Sequence, residues 1–214
     1  MSRILVEAAV ESLSAALAAA EGGAHRIEYC TDLAQGGTTP SLDVLPKVPL
    51  PVFVLIRPRA GNFVYTEDEH QTMLKQIAQA KAVGAQGIVS GSLTPEREVD
   101  AHRTAELIHA TRPLSFTFHR AIDIVVYTTM NPGLEILVKL GVDRVLTSGG
   151  ARTAPEGAKQ IARYVQQAKG RITILPGGGI DASNVAQLVR ETGVTEVHFS
   201  VNDASKVRAV LAQV

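Results

Sequence analysis

Short apolar, largely β-branched runs alternate with Ala-rich stretches of helical period along all 214 residues of the chain. The runs predicted as strands begin near Ile4, Arg26, Val52, Gly87, Ser115, Arg144, Ile172 and Glu196. Most are continuously apolar, as expected of parallel strands covered on both faces. The helices between them have readable ends. In the first, Leu13, Ala16, Leu17 and Ala20 fall on one face and Gly22-Gly23 stop it. Thr66 and Glu69 have capping-box spacing, followed by Met73, Ile77 and Ala80 on one face. Thr153 and Glu156 repeat that spacing ahead of Ile161 and Val165, and Asn131-Pro132 and Asp181 read as further helix starts.

An internal echo sharpens the topology. Four helices end in a glycine, then Ala or Val, two variable residues and a β-branched residue. The instances are Gly23 to Ile27, Gly84 to Ile88, Gly141 to Val145 and Gly193 to Val197. The glycine takes the left-handed position after the helix, the next apolar residue packs on the helix end, and a strand follows at once. Eight such βα units with no linker predict one domain over residues 1–214, a single α/β (β/α)₈ TIM barrel.

In such a barrel the working groups sit at the C-terminal strand ends. Aligning Ile27, Val145 and Val197 puts Glu28, Leu146 and His198 on the opposite face, shared two steps on by Cys30, Ser148 and Ser200. A charged Glu28 does not belong against the helix layer, so that second face is the barrel interior. Closure then makes one wall of His198, Glu7 and Glu28, with His119 across the barrel. Two carboxylates and two imidazoles allow three readings. They can ligate a divalent metal, transfer protons, or hold the mouth together by pairing Glu7 or Glu28 with Arg57 or Arg120.

The Gly177-Gly178-Gly179 run after the seventh strand lies where barrels of this kind hold phosphate on backbone N–H groups. The alternative for that turn is simple helix capping by Asp181. Arg57 and Arg59, stiffened by Pro58, suit a carboxylate or phosphate, and Arg120, Thr147, Ser148 and Ser200 complete the anion-binding candidates. Gly36-Gly37-Thr38-Thr39-Pro40-Ser41 follows the second strand on the active face, where glycines and hydroxyls can approach a ligand. The alternative is plain turn chemistry, which is favoured for the Thr38-Thr39-Pro40-Ser41 run. Cys30 is either packed wall or a soft ligand for Cu(I). No lysine stands at a predicted strand end, which argues against a Schiff-base aldolase, and no Gly-x-Ser-x-Gly or Cys-x-x-Cys motif occurs.

Composition narrows the partners. The chain has 21 basic and 21 acidic residues and no basic stripe, so neither nucleic acid nor an anionic membrane is expected. No stretch is long and apolar enough for a signal peptide or a membrane span. The single cysteine cannot form an intramolecular disulfide, and cytoplasmic residence is the expectation.

The blocks Arg26-Ile27-Glu28-Tyr29-Cys30, Gly36 to Ser41, Ile56-Arg57-Pro58-Arg59, Phe118-His119-Arg120-Ala121, Arg144 to Gly149, Pro176 to Gly179 and Glu196-Val197-His198 run in order through nearly the whole chain. Together they resemble the CutC copper homeostasis family. The resemblance implies a cytoplasmic (β/α)₈ protein, often a homo-oligomer, linked to copper handling and copper ion binding. The chain departs from the family pattern in three places. Ala9 stands where the family carries a cysteine at the end of strand one, which reduces the Cu(I) thiolates to Cys30. The segment after strand eight is shortened, which removes a basic contributor to anion binding. The loop Ile124 to Met130 is lengthened. The expectations are a copper homeostasis protein with copper or another divalent metal. The alternatives are an enzyme acting on a small anionic metabolite with Glu7, Glu28, His119 and His198, or a barrel that has lost its activity.

Overall fold

The computed structural model describes residues 3–43, 45, 47–125 and 132–214. Among them eight parallel strands form one sheet: β1 (Leu5–Val10), β2 (Arg26–Tyr29), β3 (Val52–Leu55), β4 (Gly87–Ser90), β5 (Ser115–Phe118), β6 (Arg144–Thr147), β7 (Thr173–Pro176) and β8 (Glu196–Ser200). Sequence neighbours pair in turn and β1 also pairs with β8, in the order β7-β6-β5-β4-β3-β2-β1-β8. A parallel bridge between Gly177 and His198 joins the two ends and closes the barrel. Six strands start where the pattern placed them; β1 and β7 start one residue later, at Leu5 and Thr173.

Seven α-helices among the described residues wrap the sheet: α1 (Leu13–Gly22), α2 (Glu67–Ala82), α3 (Ala101–Thr111), α4 (Pro132–Lys139), α5 (Ala158–Ala168), α6 (Val185–Thr192) and α7 (Ala204–Leu211). The second unit departs from the expected eight-fold repeat. Among the described residues between β2 and β3 the one helical element is a 3₁₀ turn, Leu33–Gln35. The paired glycines 36 and 37 and the prolines 40, 49 and 51 deny that stretch a helical backbone. The four repeat glycines behave as expected: Gly23, Gly84, Gly141 and Gly193 all have positive φ, between 72° and 96°.

Three helix readings need correction. In α1 the buried face is Ala15, Ala16, Ala19 and Gly22, while Leu13 and Leu17 are about half exposed. The cause is α7, which lies so close that a Cβ on Gly22 would come within 2.6 Å of the Val207 Cβ. Only small side chains fit that seam. Thr153 and Glu156 do exchange side-chain to backbone hydrogen bonds, at 3.2 and 3.4 Å, yet α5 starts later, at Ala158. Asp181 accepts from the Ser183 amide at 2.8 Å and shapes the turn before α6, which Asn184 precedes. The Asn131 start and most of the Ile124 to Met130 loop lie outside the described residues.

The main core lies between sheet and helices, and the barrel interior is of another kind. Arg26 reaches two carboxylates at once, Glu7 on β1 and Glu196 on β8. Arg144 on β6 donates to the same Glu196 oxygen at 3.1 Å and to the Ser115 hydroxyl at 2.7 Å. The Phe53 ring lies against both guanidinium groups, at 5.3 and 5.4 Å. This network ties β1, β2, β3, β5, β6 and β8 together under the mouth. Buried charges persist only when so compensated.

Candidate functional site

Strand register sets the wall of the site. Glu7 lies beside His198 and Ala9 beside Glu28, so alternating side chains from β8, β1 and β2 point into one space. His198 Nδ1 is 2.8 Å from Glu7 Oε1, while the other Glu7 oxygen accepts from Arg26. The pairing fixes the imidazole, and Nε2 is the ring atom Glu7 leaves unengaged. Glu28 is buried, and its Oε2 has no partner among the described residues. One donor atom from each of Glu7, Glu28 and His198 lies within 4.8 Å of the others.

The electrostatics separate the two carboxylates. Burial alone would raise Glu7, but the charge of Arg26, with His198, outweighs it and brings its pKa to about 2. Burial pushes Glu28 up to about 7, with the Glu7 charge adding to it against His198 and Arg26. Burial works against a charge on His198, yet Glu28 and Glu7 outweigh it and raise its pKa. Two acids of ordinary pKa thus divide into a permanent anion and a group that titrates near neutrality.

The cavity above these groups has a volume of about 280 Å³. Glu28, His198 and Ala9 line it on one side and Arg57, Phe63 and His119 on another, with Arg120, Gly178, Gly179, Ser200 and Lys206 at the rim. Arg57 does not reach Glu7 or Glu28. The loop after β2 holds it instead, through the carbonyls of Gln35 at 3.2 Å and Gly37 at 2.6 Å, and the Gly61 carbonyl adds a third contact at 3.0 Å. Gly37 must be glycine, because its φ is +82° and a Cβ there would sit 2.7 Å from Leu55. Arg57 therefore has carbonyl partners and, among the described residues, no carboxylate in contact.

Other sequence candidates fall elsewhere. Arg59 turns outward to Glu69, 2.5 Å away, and to the Asn62 and Val64 carbonyls. The Thr147 and Ser148 hydroxyls bond to Asp123, which also accepts from Arg120 Nε at 2.9 Å. Asp123 thereby pins the turn after β5 against the end of β6. Gly177 gives His198 its place, since a Cβ there would lie 3.1 Å from the imidazole Cδ2. Among the described residues the Gly178 and Gly179 N–H groups have no acceptor. Cys30 faces the interior as expected, packed with Phe53, Leu55 and Val89, with Sγ 3.7 Å from the Val10 carbonyl. Burial, with Glu28 and Glu11, pushes its thiol pKa far up.

Two groups escaped the sequence reading. Lys206 reaches the rim from α7 because Asp203 caps that helix, accepting from the Ser205 and Lys206 amides at 2.9 and 3.2 Å. It supplies a cation after β8 despite the shortened segment, with Nζ 2.7 Å from the Ser200 carbonyl. Arg26 was read only as a strand start. It shares the facing of Glu28, which the two-residue strand period already specifies.

These features define a nearly closed (β/α)₈-type barrel with a small polar cavity at the strand C-termini. The CutC family model matches residues 4–203, and the chain belongs to the CutC family. It is 46% identical over 200 residues to the copper homeostasis protein cutC homolog of Homo sapiens, covering 92% of this chain and 72% of that protein. It is 44% identical to the family protein CutC of Xylella fastidiosa, over 95% of this chain and 77% of that one. A crystal structure of CutC from Streptococcus agalactiae superposes with a TM-score of 0.84 at 35% identity, covering 92% of this chain and 98% of that one. No helix among the described residues is long and apolar enough to cross a membrane.

Proposed function

We propose that this CutC-family protein binds a small anionic metabolite in the barrel mouth and moves a proton on it. Glu28 is the proton-transferring carboxyl and the Glu7-oriented His198 its partner. The observation that carries this is the buried Glu28 carboxyl, in a side chain that lines the cavity, with Oε2 unpartnered among the described residues. A buried group held near neutral pKa serves acid–base work well, and structural packing does not require one. Arg57, Lys206 and the free N–H groups of Gly178 and Gly179 supply positive potential for the anion. Arg120, held by Asp123, stands over Gly178. The setting we infer is the cytoplasm, in keeping with a lone buried thiol.

Thermal-shift screening against phosphate and carboxylate metabolites tests this reading. Some anions should stabilise the wild type, and Lys206→Ala should weaken that effect. Glu28→Gln should keep binding and lose turnover by about 10²-fold or more. If no anion stabilises the protein, the reading fails.

Copper homeostasis, carried in the names of the human and mouse relatives, is the second reading. The three-donor cluster of Glu7, Glu28 and His198 favours it, since carboxylate and imidazole donors suit a divalent ion. A Cu(I) thiolate site does not fit. Cys30 is fully buried and far from ionising, and Ala9 lines the cavity where a second cysteine would be needed. Titration calorimetry with Cu(II) and Cu(I) separates the cases. Copper cargo at the cluster predicts Cu(II) binding abolished by Glu28→Gln and untouched by Cys30→Ser. Loss on Cys30→Ser would instead restore the cysteine.

A further inference from the structure

We propose that His119 is a fixed, neutral hydrogen-bond donor that polarises a carbonyl oxygen, and that the site takes a small carbonyl compound with an anionic end. This rests on the small-anion reading above and gives it a substrate class. Both sequence roles for His119, base or metal ligand, need a nitrogen lone pair facing the cavity, and the structure spends that lone pair elsewhere. The Ala121 amide donates to Nδ1 at 3.4 Å, so Nδ1 is the acceptor and the proton sits on Nε2. Nε2 is itself buried without an acceptor among the described residues, in a side chain that lines the cavity. A buried N–H with no partner costs stability unless a ligand oxygen completes it.

The ring is held rigidly for that task. Phe63 packs on it at 4.7 Å between centroids and Phe118 meets it edge-on at 5.8 Å. On another side Gly91 is required, because a Cβ there would lie 2.9 Å from Nδ1. Burial, reinforced by the nearby Arg57 charge, lowers the His119 pKa to about 3, so the ring stays neutral at any working pH. A neutral donor held in a buried position suits an oxygen that gains charge during reaction.

The balanced step is enolisation. The C–H bond beside the carbonyl breaks, and its electron pair forms the new C=C bond while the C=O π pair moves onto oxygen. The proton passes to the Glu28 carboxylate, and the oxyanion rests on His119 Nε2–H. Return of the proton to the same carbon, as the oxyanion's electron pair re-forms the C=O bond, completes a hydrogen exchange or an epimerisation, with no further reactant.

Two probe pairs test the class by calorimetry, each contrasting a planar enolate mimic with a tetrahedral anion. They are phosphoglycolohydroxamate against glycerol 3-phosphate, and oxamate against lactate. The expected result is a preference of roughly ten- to a hundred-fold for the planar member of one pair, the worth of a hydrogen bond to a charged group. His119→Phe should abolish that preference and leave the tetrahedral anion's affinity unchanged, while His119→Gln, which keeps an N–H donor, should restore much of it. Binding of the tetrahedral anions with no planar preference in either pair would overturn this inference and leave the anion reading standing. Failure of all four to bind would count against both. Nitrogen-15 NMR of the wild type is independent of the variants. It should show His119 neutral and protonated on Nε2 from pH 5 to 8, and an imidazolium or the Nδ1–H form would sink the proposal.

Discussion

Glu7 and Glu28 stand on adjacent strands, face the same way and are both buried, yet they carry opposite stability consequences. Glu7 has Arg26 and His198 as partners and a folded pKa of about 2, below its ordinary 4.5. Its contribution is present above pH 4.5 and is lost as the pH falls toward 2. Glu28 has a folded pKa of about 7, above the same ordinary value. Between pH 4.5 and 7 the folded state holds a proton that the unfolded chain has released, so stability falls as the pH rises through that window. Glu28→Gln should therefore raise Tm by several degrees at pH 8 and change it little at pH 4.5. Calorimetric scans at both values check this; a variant destabilised at pH 8 would mean that Glu28 is structurally paired. The group most useful to the site is one that the fold holds at a cost.

At the level of elements, the seam of α1 and α7 reverses the usual rule for glycine in a helix. Helix propensity alone predicts that Gly22→Ala stabilises by about 1 kcal/mol. Here the new Cβ would lie 2.6 Å from the Val207 Cβ and 2.8 Å from the Ala204 carbonyl oxygen. Overpacking of this kind should cost about 1–3 kcal/mol in urea unfolding. Leu17→Ala, on the exposed face, should stay within about 0.5 kcal/mol. If Leu17→Ala proved the costlier, the buried face of α1 would be the one its leucines suggest. The hydrophobic pattern misplaced that face because α1 meets α7 along alanines and a glycine, and small residues leave almost no amphipathic signal. Lys206 escaped for a related reason. It stands on a helix six residues past the end of β8, and only the Asp203 cap turns it back to the mouth.

For the whole molecule, Arg26 joins the first, second and last strands of the barrel from within. Arg26→Leu would leave Glu7 and Glu196 short of their shared cation in a dry interior. The loss should be about 3–5 kcal/mol in guanidinium unfolding at pH 8. It should be smaller at pH 5, where Glu7, without the Arg26 charge that holds its pKa down, takes up a proton more readily. An equal loss at both pH values would argue that the network acts by packing alone.

The chain itself determined the barrel and much of its mouth, because βα alternation and a two-residue strand period are local properties. Repeat alignment placed Glu28 and His198 inside, and the same alignment already carried Arg26, Arg144 and Glu196 on that face, one step before the β-branched residues. Tertiary structure decided the pairings. Which arginine meets Glu7, why Arg57 binds carbonyls and Arg59 turns to Glu69, and which nitrogen of His119 keeps its proton all depend on groups brought together across the barrel. Such choices follow from distance and burial, which a linear pattern does not contain, and they turn a row of polar strand ends into a site with distinct acids and donors.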